Sequence, residues 1–268
     1  MIPLNELQEK LLEILTPAVA VCEQLNLNYY LVCGSALGAA KYRGFIPWDD
    51  DMDVFIFRED VERFVKAFEK NNNKFFLQKP LSTDWPYLFY KIRMNGTTAI
   101  EKKYINTRIH QGLFIDVFVL DSYPVSKIRK KMFNTVMLSI RAMQTLCDGR
   151  MGKKSFDPIL KMIMFGIKVQ NKVLNIIPEK NSNLSAIRLP WYKTTINMDF
   201  FKKIEDVEFE GPEHLYSITS EYDALLTTIY GDYMQPPPVE KRVGQHIYAL
   251  DMEIDYKDWL AKNHKKNV

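Results

Sequence analysis

No uncharged apolar run in this chain approaches the roughly 20 residues needed to cross a bilayer. The longest charge-free stretch, Gln24 to Ala40, is interrupted by two Asn, two Gly and a Ser. Cysteine is scarce: Cys22, Cys33 and Cys147 are an odd number in apolar or mixed settings, which argues against a disulfide framework and for reduced core thiols. Cys33 has no adjacent His and no second Cys nearby, so its sequence context makes it neither nucleophile nor zinc ligand. There are no repeats and no low-complexity tract. The first residues lack a basic stretch followed by an apolar core. Instead Leu4, Leu7, Leu11 and Leu15 recur at helical spacing with Glu6, Glu9 and Glu13 between them, which predicts a folded helix that Pro17 kinks or ends. Together these features lead us to expect a cytoplasmic protein with no nucleic-acid partner.

What is present is enough apolar material for a sizeable core, 47% of 268 residues. The net charge of +3 is unevenly spread. Residues 126–180 hold twelve Lys or Arg against three Asp or Glu, and half of the twelve methionines. A basic, Met- and Ile-rich helical stretch of this kind suits a solvated face or an anionic membrane surface. For the second, Met132, Met137, Ile140, Met162, Met164 and Ile167 would supply the apolar face and Lys127, Arg129, Lys130 and Lys131 the charge.

The most informative segment is Pro47-Trp48-Asp49-Asp50-Asp51-Met52-Asp53, preceded by Gly34-Ser35-Ala36-Leu37-Gly38. Four aspartates within five positions repel one another, so they need water or a hard cation. Asp53-Val54-Phe55-Ile56-Phe57 is too apolar and β-prone for a solvent loop and predicts a buried strand, in which Asp51 and Asp53 share a face. An EF-hand loop starting at Asp49 fails because Val54 stands where glycine is needed. An Asp-x-Asp pair alone, as in metal-dependent glycosyltransferases, is a weak signal. A further carboxylate comes from Gly112 to Asp121, an apolar run with Asp116 at its centre, where a lone acid is costly unless paired or metal-bound.

The periodicity predicts helices over 4–25, 36–42 and 60–70, and strands over 29–33, 51–57, 75–78, 87–93, 97–100 and 113–120. Helices over 126–147, 158–176 and 214–230 follow. The expected architecture is α+β: a mixed-sheet core in residues 1–123 and a mainly helical extension, 124–268, packed on it.

Gly34-Ser35, Asp51-Met52-Asp53-Val54 and Ile115-Asp116-Val117 resemble the nucleotidyltransferase superfamily pattern. More specifically, the Pro47 to Asp53 run, Gly112-Leu113-Phe114-Ile115-Asp116, Phe209-Glu210-Gly211, Tyr230-Gly231-Asp232-Tyr233-Met234, Pro236-Pro237, Arg242 and His246 resemble the LicD family of phosphotransferases. The resemblance runs from about Tyr29 to His246. It implies a nucleotidyltransferase-like fold in which Asp51, Asp53 and Asp116 hold two divalent ions, Mg²⁺ or Mn²⁺, with Asp116 either a ligand or the base. Gly34 and Ser35, a turn ahead of a short helix, would approach a donor phosphate, and Arg242 and His246, four apart on one helical face, would approach nucleotide or acceptor. By their own positions, Lys41 and Arg43 ahead of the acids would neutralise phosphate oxygens or pair with Asp49 or Asp50, and Lys91 or Arg93, on a shared strand face, would reach the site. Asp49 and Asp50 would be supporting residues, and Asp121 would stabilise the turn before Pro124. The implied reaction moves a phosphoalcohol from CDP-choline, or from a CDP-linked ribitol or glycerol, onto a glycan acceptor carried on a lipid at the inner membrane face. Trp48, Trp85, Tyr87 and Tyr90 are the aromatic faces available for a choline head group.

Overall fold

The computed structural model describes residues 4–71, 73–82, 85–105, 107–148, 150–151, 157–180, 182–188, 195–244 and 247–264. Helix α1 (Leu4–Gln24) buries Leu7, Leu11, Ile14, Leu15, Ala18 and Cys22, a row repeating every three or four residues. It runs through Pro17 rather than stopping there. Proline removes one hydrogen bond from the ladder, and the buried Leu15, Ala18 and Val19 beside it keep the helix on the core.

Strand β1 (Tyr29–Leu31) leads into α2 (Cys33–Tyr42), then β2 (Asp53–Phe57) and α3 (Val61–Asn71). Strands β3 (Phe75–Gln78), β4 (Tyr90–Met94), β5 (Thr98–Glu101) and the long β6 (Phe114–Ser122) follow. Helices α4 (Lys127–Asp148) and α5 (Pro158–Leu174) pack on each other. The remainder is β7 (Leu184–Ile187), β8 (Ile196–Asn197), β9 (Ile204–Glu208), β10 (Leu215–Thr219), α6 (Tyr222–Tyr230), β11 (Ile247–Asp251) and α7 (Tyr256–His264).

The main sheet has the order β1-β2-β6-β4-β3, with β7 and β8 added along the distal half of β6. Strands β2 and β6 are parallel and the other pairs antiparallel, so the fold is α+β with a mixed sheet. Side-chain alternation splits the core in two. Val54, Ile56, Ile115, Val117 and Val119 point to α1 and α3, whereas Phe55, Phe118 and Leu120 point to the layer that contains α4 and α5.

Two expectations change. The stretch 214–230 is a strand followed by a helix, because Tyr216 and Ile218 alternate into the core as β10 pairs antiparallel with β9. The part after residue 123 is also less helical than its periodicity predicts. Among the described residues it contains five strands, and two of them, β7 and β11, pair with β6 and β5 of the first part.

Candidate active site

Parallel pairing of β2 with β6 sets Asp53 opposite Asp116 in register, both on the face shared by Phe55 and Phe118. The Asp116 N–H donates to the Met52 carbonyl at 2.8 Å, extending the pairing to the acidic run. Helix α2 arrives at the same place. Gly34 and Ser35 form its first turn rather than a turn ahead of it. Glycine at 34 leaves room for Asp49, since an added Cβ would lie 2.6 Å from its carboxylate oxygen and displace that side chain. The Ser35 hydroxyl is buried and accepts the Asp53 N–H at 2.9 Å, so it fixes the start of β2.

The carboxylates converge. Asp49, Asp50 and Asp51 each offer an oxygen, all within 4.8 Å of one another. Burial, then Asp51 and Asp50, pushes Asp49 up to about 8. Burial, then Asp51, Asp116 and Asp49, holds Asp53 well above the usual carboxylate range. Asp116 rises to about 6 through burial, opposed by Lys91. Asp50 is also a tether, accepting the Ile247 N–H at 3.1 Å. A set of oxygen donors that resist sharing one site without positive charge fits a hard divalent ion, with Asp49, Asp51, Asp53 and Asp116 as the available ligands. Burial and Asp53 also push the Cys33 thiol up, so it stays protonated beside them.

In front of the acids is a cavity of about 590 Å³ between α2 and residues 230–243. Gly34, Lys41, Asp49, Asp51 and Asp53 line it, together with Tyr42, Trp48, Tyr230 and Tyr233. The Lys41 ammonium donates to the Met234 carbonyl at 2.6 Å and sits 5.5 Å from the centre of the Tyr42 ring. The Arg242 guanidinium is 5.2 Å from the centre of the Trp48 ring and donates to the Pro237 carbonyl at 2.8 Å.

Other predicted residues lie elsewhere. Arg43 has φ 55° at the end of α2, which turns its exposed side chain out to a different cavity lined by Glu205 and Glu208. Lys91 is buried behind the acids rather than open to a donor phosphate. It stands opposite Asp116 in the antiparallel register of β4 and β6, with its ammonium 2.8 Å from Asp116 and 3.5 Å from Glu101. Arg242 follows a single 3₁₀ turn, Val239–Lys241, so it is not on a helical face. His246 lies outside the described residues. Of the four aromatic candidates, Trp48 faces the cavity, Trp85 and Tyr87 are fully buried in the second core, and Tyr90 packs on the first. Asp121 pairs with Arg58 at 2.7 Å and Arg188 at 3.2 Å rather than stabilising the turn before Pro124. Sequence reading underrated Asp49 as a cavity residue and missed Tyr42, Tyr230 and Tyr233 as its aromatic lining. The proximity of Asp49 to Asp51 and the tyrosine spacing around Gly231 were the available signals.

A small-residue helix start set against two in-register strand carboxylates, with a third just ahead of the strand, is the site of a nucleotidyltransferase-type domain. A family model described as LicD/FKTN/FKRP, nucleotidyltransferase domain, matches residues 26–170. The chain belongs to this LicD family of phosphotransferases. It is 28% identical over 267 residues to the lipopolysaccharide cholinephosphotransferase LicD of Haemophilus influenzae, spanning 91% of this chain and 96% of that protein. A segment of 43 residues is 49% identical to the ribitol 5-phosphate transferase FKRP of Homo sapiens, 16% of this chain and 9% of that protein.

Proposed function

We propose that this enzyme transfers a phosphoalcohol, phosphocholine from CDP-choline before CDP-ribitol or CDP-glycerol, onto a sugar hydroxyl of a cell-surface polysaccharide, teichoic-acid or lipopolysaccharide precursor. The observation that carries the reading is the in-register pairing of Asp53 with Asp116, close to Asp51, beside a cavity lined by Lys41 and aromatic rings. The near full-length similarity to a cholinephosphotransferase supports the donor class and the glycan acceptor.

In this reading the acceptor oxygen bonds to the phosphorus that bears the alcohol, the bond from that phosphorus to the oxygen bridging to CMP breaks, and CMP leaves. Two divalent ions, Mg²⁺ or Mn²⁺, held by Asp51, Asp53 and Asp116 with Asp49 in reach, would supply charge neutralisation on the diphosphate and the leaving group. The protein's own contribution is positioning. Lys41, which lines the cavity, and Arg242, which lies over the Trp48 ring, would meet diphosphate oxygens, and Trp48 and Tyr230 would offer ring faces to a quaternary ammonium. Lys91 keeps Asp116 oriented through their ion pair, so that its free oxygen can accept the hydroxyl proton or face the metal. A lipid-linked acceptor would place the enzyme at the inner membrane face.

The test incubates the purified protein with a free or lipid-linked oligosaccharide and each CDP-alcohol or nucleotide-sugar, with and without Mg²⁺. CMP and a phosphodiester product, lost with EDTA, are expected from CDP-choline first. Release of a nucleoside diphosphate from a nucleotide-sugar would reassign the protein to the glycosyltransferases.

A further inference from the structure

Helices α4 and α5 are apolar on two sides. Phe133, Ile140 and Cys147 of α4, with Leu160, Met164, Ile167 and Leu174 of α5, fill the second core. The methionine and isoleucine row suggested by composition is therefore divided: Ile140, Met164 and Ile167 are buried and Met137 is packed against them, leaving Met132 and Met162 outside. A different row takes their place. On α5 and the turn after it, Met162, Phe165, Val169, Val173 and Ile176 recur at intervals of three and four residues and are all exposed, Phe165 at 67% and Ile176 at 76%. On α4, Ile128 and Met132, four apart, and Leu146 are exposed too, Ile128 at 76%.

Among the described residues of α4 and α5, the exposed charges are all basic. Lys161, Lys168 and Lys172 are exposed along α5, and Lys127, Lys131 and Arg141 along α4. The three acids of residues 126–180 are engaged within the protein. Asp148 pairs with Lys103 at 2.8 Å, Asp157 caps α5 and pairs with Arg150 at 3.0 Å, and Glu179 accepts the Val125 and Ser126 N–H groups. Arg129 is also taken up, donating to the Ile177 and Pro178 carbonyls.

We propose that the α4–α5 hairpin docks on an anionic lipid bilayer, with the Met162–Phe165–Val169–Val173–Ile176 row entering the headgroup boundary and the flanking lysines meeting acidic headgroups. An exposed apolar row bordered by exposed lysines, Lys168 and Lys172 on α5 with Lys127 and Lys131 on α4, matches the two demands of such a surface. A soluble protein partner would need acids to match the lysines as well as apolar contact, and a second copy would set lysine against lysine.

The experiment is co-sedimentation of the full chain with phosphatidylglycerol–phosphatidylcholine vesicles and with phosphatidylcholine vesicles, across a salt series. Binding to the anionic vesicles at low ionic strength is expected, weakening with salt and falling about fivefold for each of Lys168→Gln and Lys172→Gln. Phe165→Glu should abolish it with little loss of thermal stability, since the side chain is 67% exposed. Sedimentation velocity should give a monomer. Failure of the wild type to bind anionic vesicles, equal binding to both vesicle types, or a dimer dissociated by Phe165→Glu would overturn the proposal. If either variant fails to fold, the salt and lipid dependence of the wild type decides. None of these readouts depends on the donor or on turnover.

Discussion

Asp53 and Asp116 face each other across one strand pair yet have opposite surroundings. Asp53 is buried against Asp51, Asp116 and Asp49, so its charge is mostly opposed. Asp116 holds Lys91 at 2.8 Å, and the Lys91 side chain is only 3% exposed. Changing Asp53 to Asn should therefore raise the metal-free melting temperature by relieving repulsion. Asp116→Asn should lower it, because it removes the nearer partner of a buried ammonium and leaves Glu101 at 3.5 Å, a loss of about 1–3 kcal/mol. Both variants should lose most turnover. Thermal melts in EDTA, run beside CMP-release assays, separate the two effects; equal stabilisation by both would refute the role given to Lys91. The carboxylates were legible in the sequence because an acid inside an apolar strand announces a cost. The Lys91 partnership was not, since only the non-local register of β4 on β6 brings it about. Arg43 misled for a related reason: its position near the acids in sequence says nothing of the left-handed turn that aims it outward.

At the scale of elements, the site depends on how α2 meets the loop that follows it. An added Cβ at Gly38 would come within 2.3 Å of the Gly44 carbonyl oxygen, a backbone atom that cannot rotate away. The loop is pinned from its other side, where the Phe45 N–H donates to Glu210 at 2.8 Å. Gly38→Ala should therefore force residues 44–46 apart from α2, costing about 1–3 kcal/mol and shifting Trp48 and Asp49 at the cavity. Gly166→Ala is the comparison, since its Cβ would meet the flexible end of Met143 at 3.2 Å. Melting curves of the two variants should diverge, with activity lost in Gly38→Ala; matching curves would mean that the loop yields. Long periodic helices such as α1 and α4 were readable from spacing. The strand β10 was not, because Tyr216 and Ile218 lie next to a helical pattern and alternation over five residues is too short to stand out from it.

Across the whole molecule, the periodicity changes from strand-rich to helical after residue 123, and contacts cross that point. Strand β7 pairs with the distal half of β6, and Arg188 just beyond it reaches Asp121 with both side chains only 3% exposed. Strand β11 pairs with β5, and the Ile247 N–H returns to Asp50 in the acidic run. Tyr30 donates to the Phe201 carbonyl at 3.1 Å. One face of the sheet is covered by residues from the second half, among them Phe133, Ile140, Leu160, Ile167 and Phe201. A chain ending at residue 123 would keep contacts such as Phe89 on Phe118 but lose Phe201 from Phe55 and the α4 and α5 side chains from this core, an apolar loss of about 25 cal/mol per Å² over several large side chains, against native stabilities of about 5–15 kcal/mol in all. Residues 1–123 alone should therefore show no cooperative thermal transition, and little amide protection in β6, by circular dichroism and hydrogen exchange. Asp121→Asn in the full chain should give a milder version, destabilising by leaving Arg188 buried without its charge partner. A fragment melting cooperatively near the full-length temperature would show instead that the first half carries the site on its own, with the rest serving as an added cover.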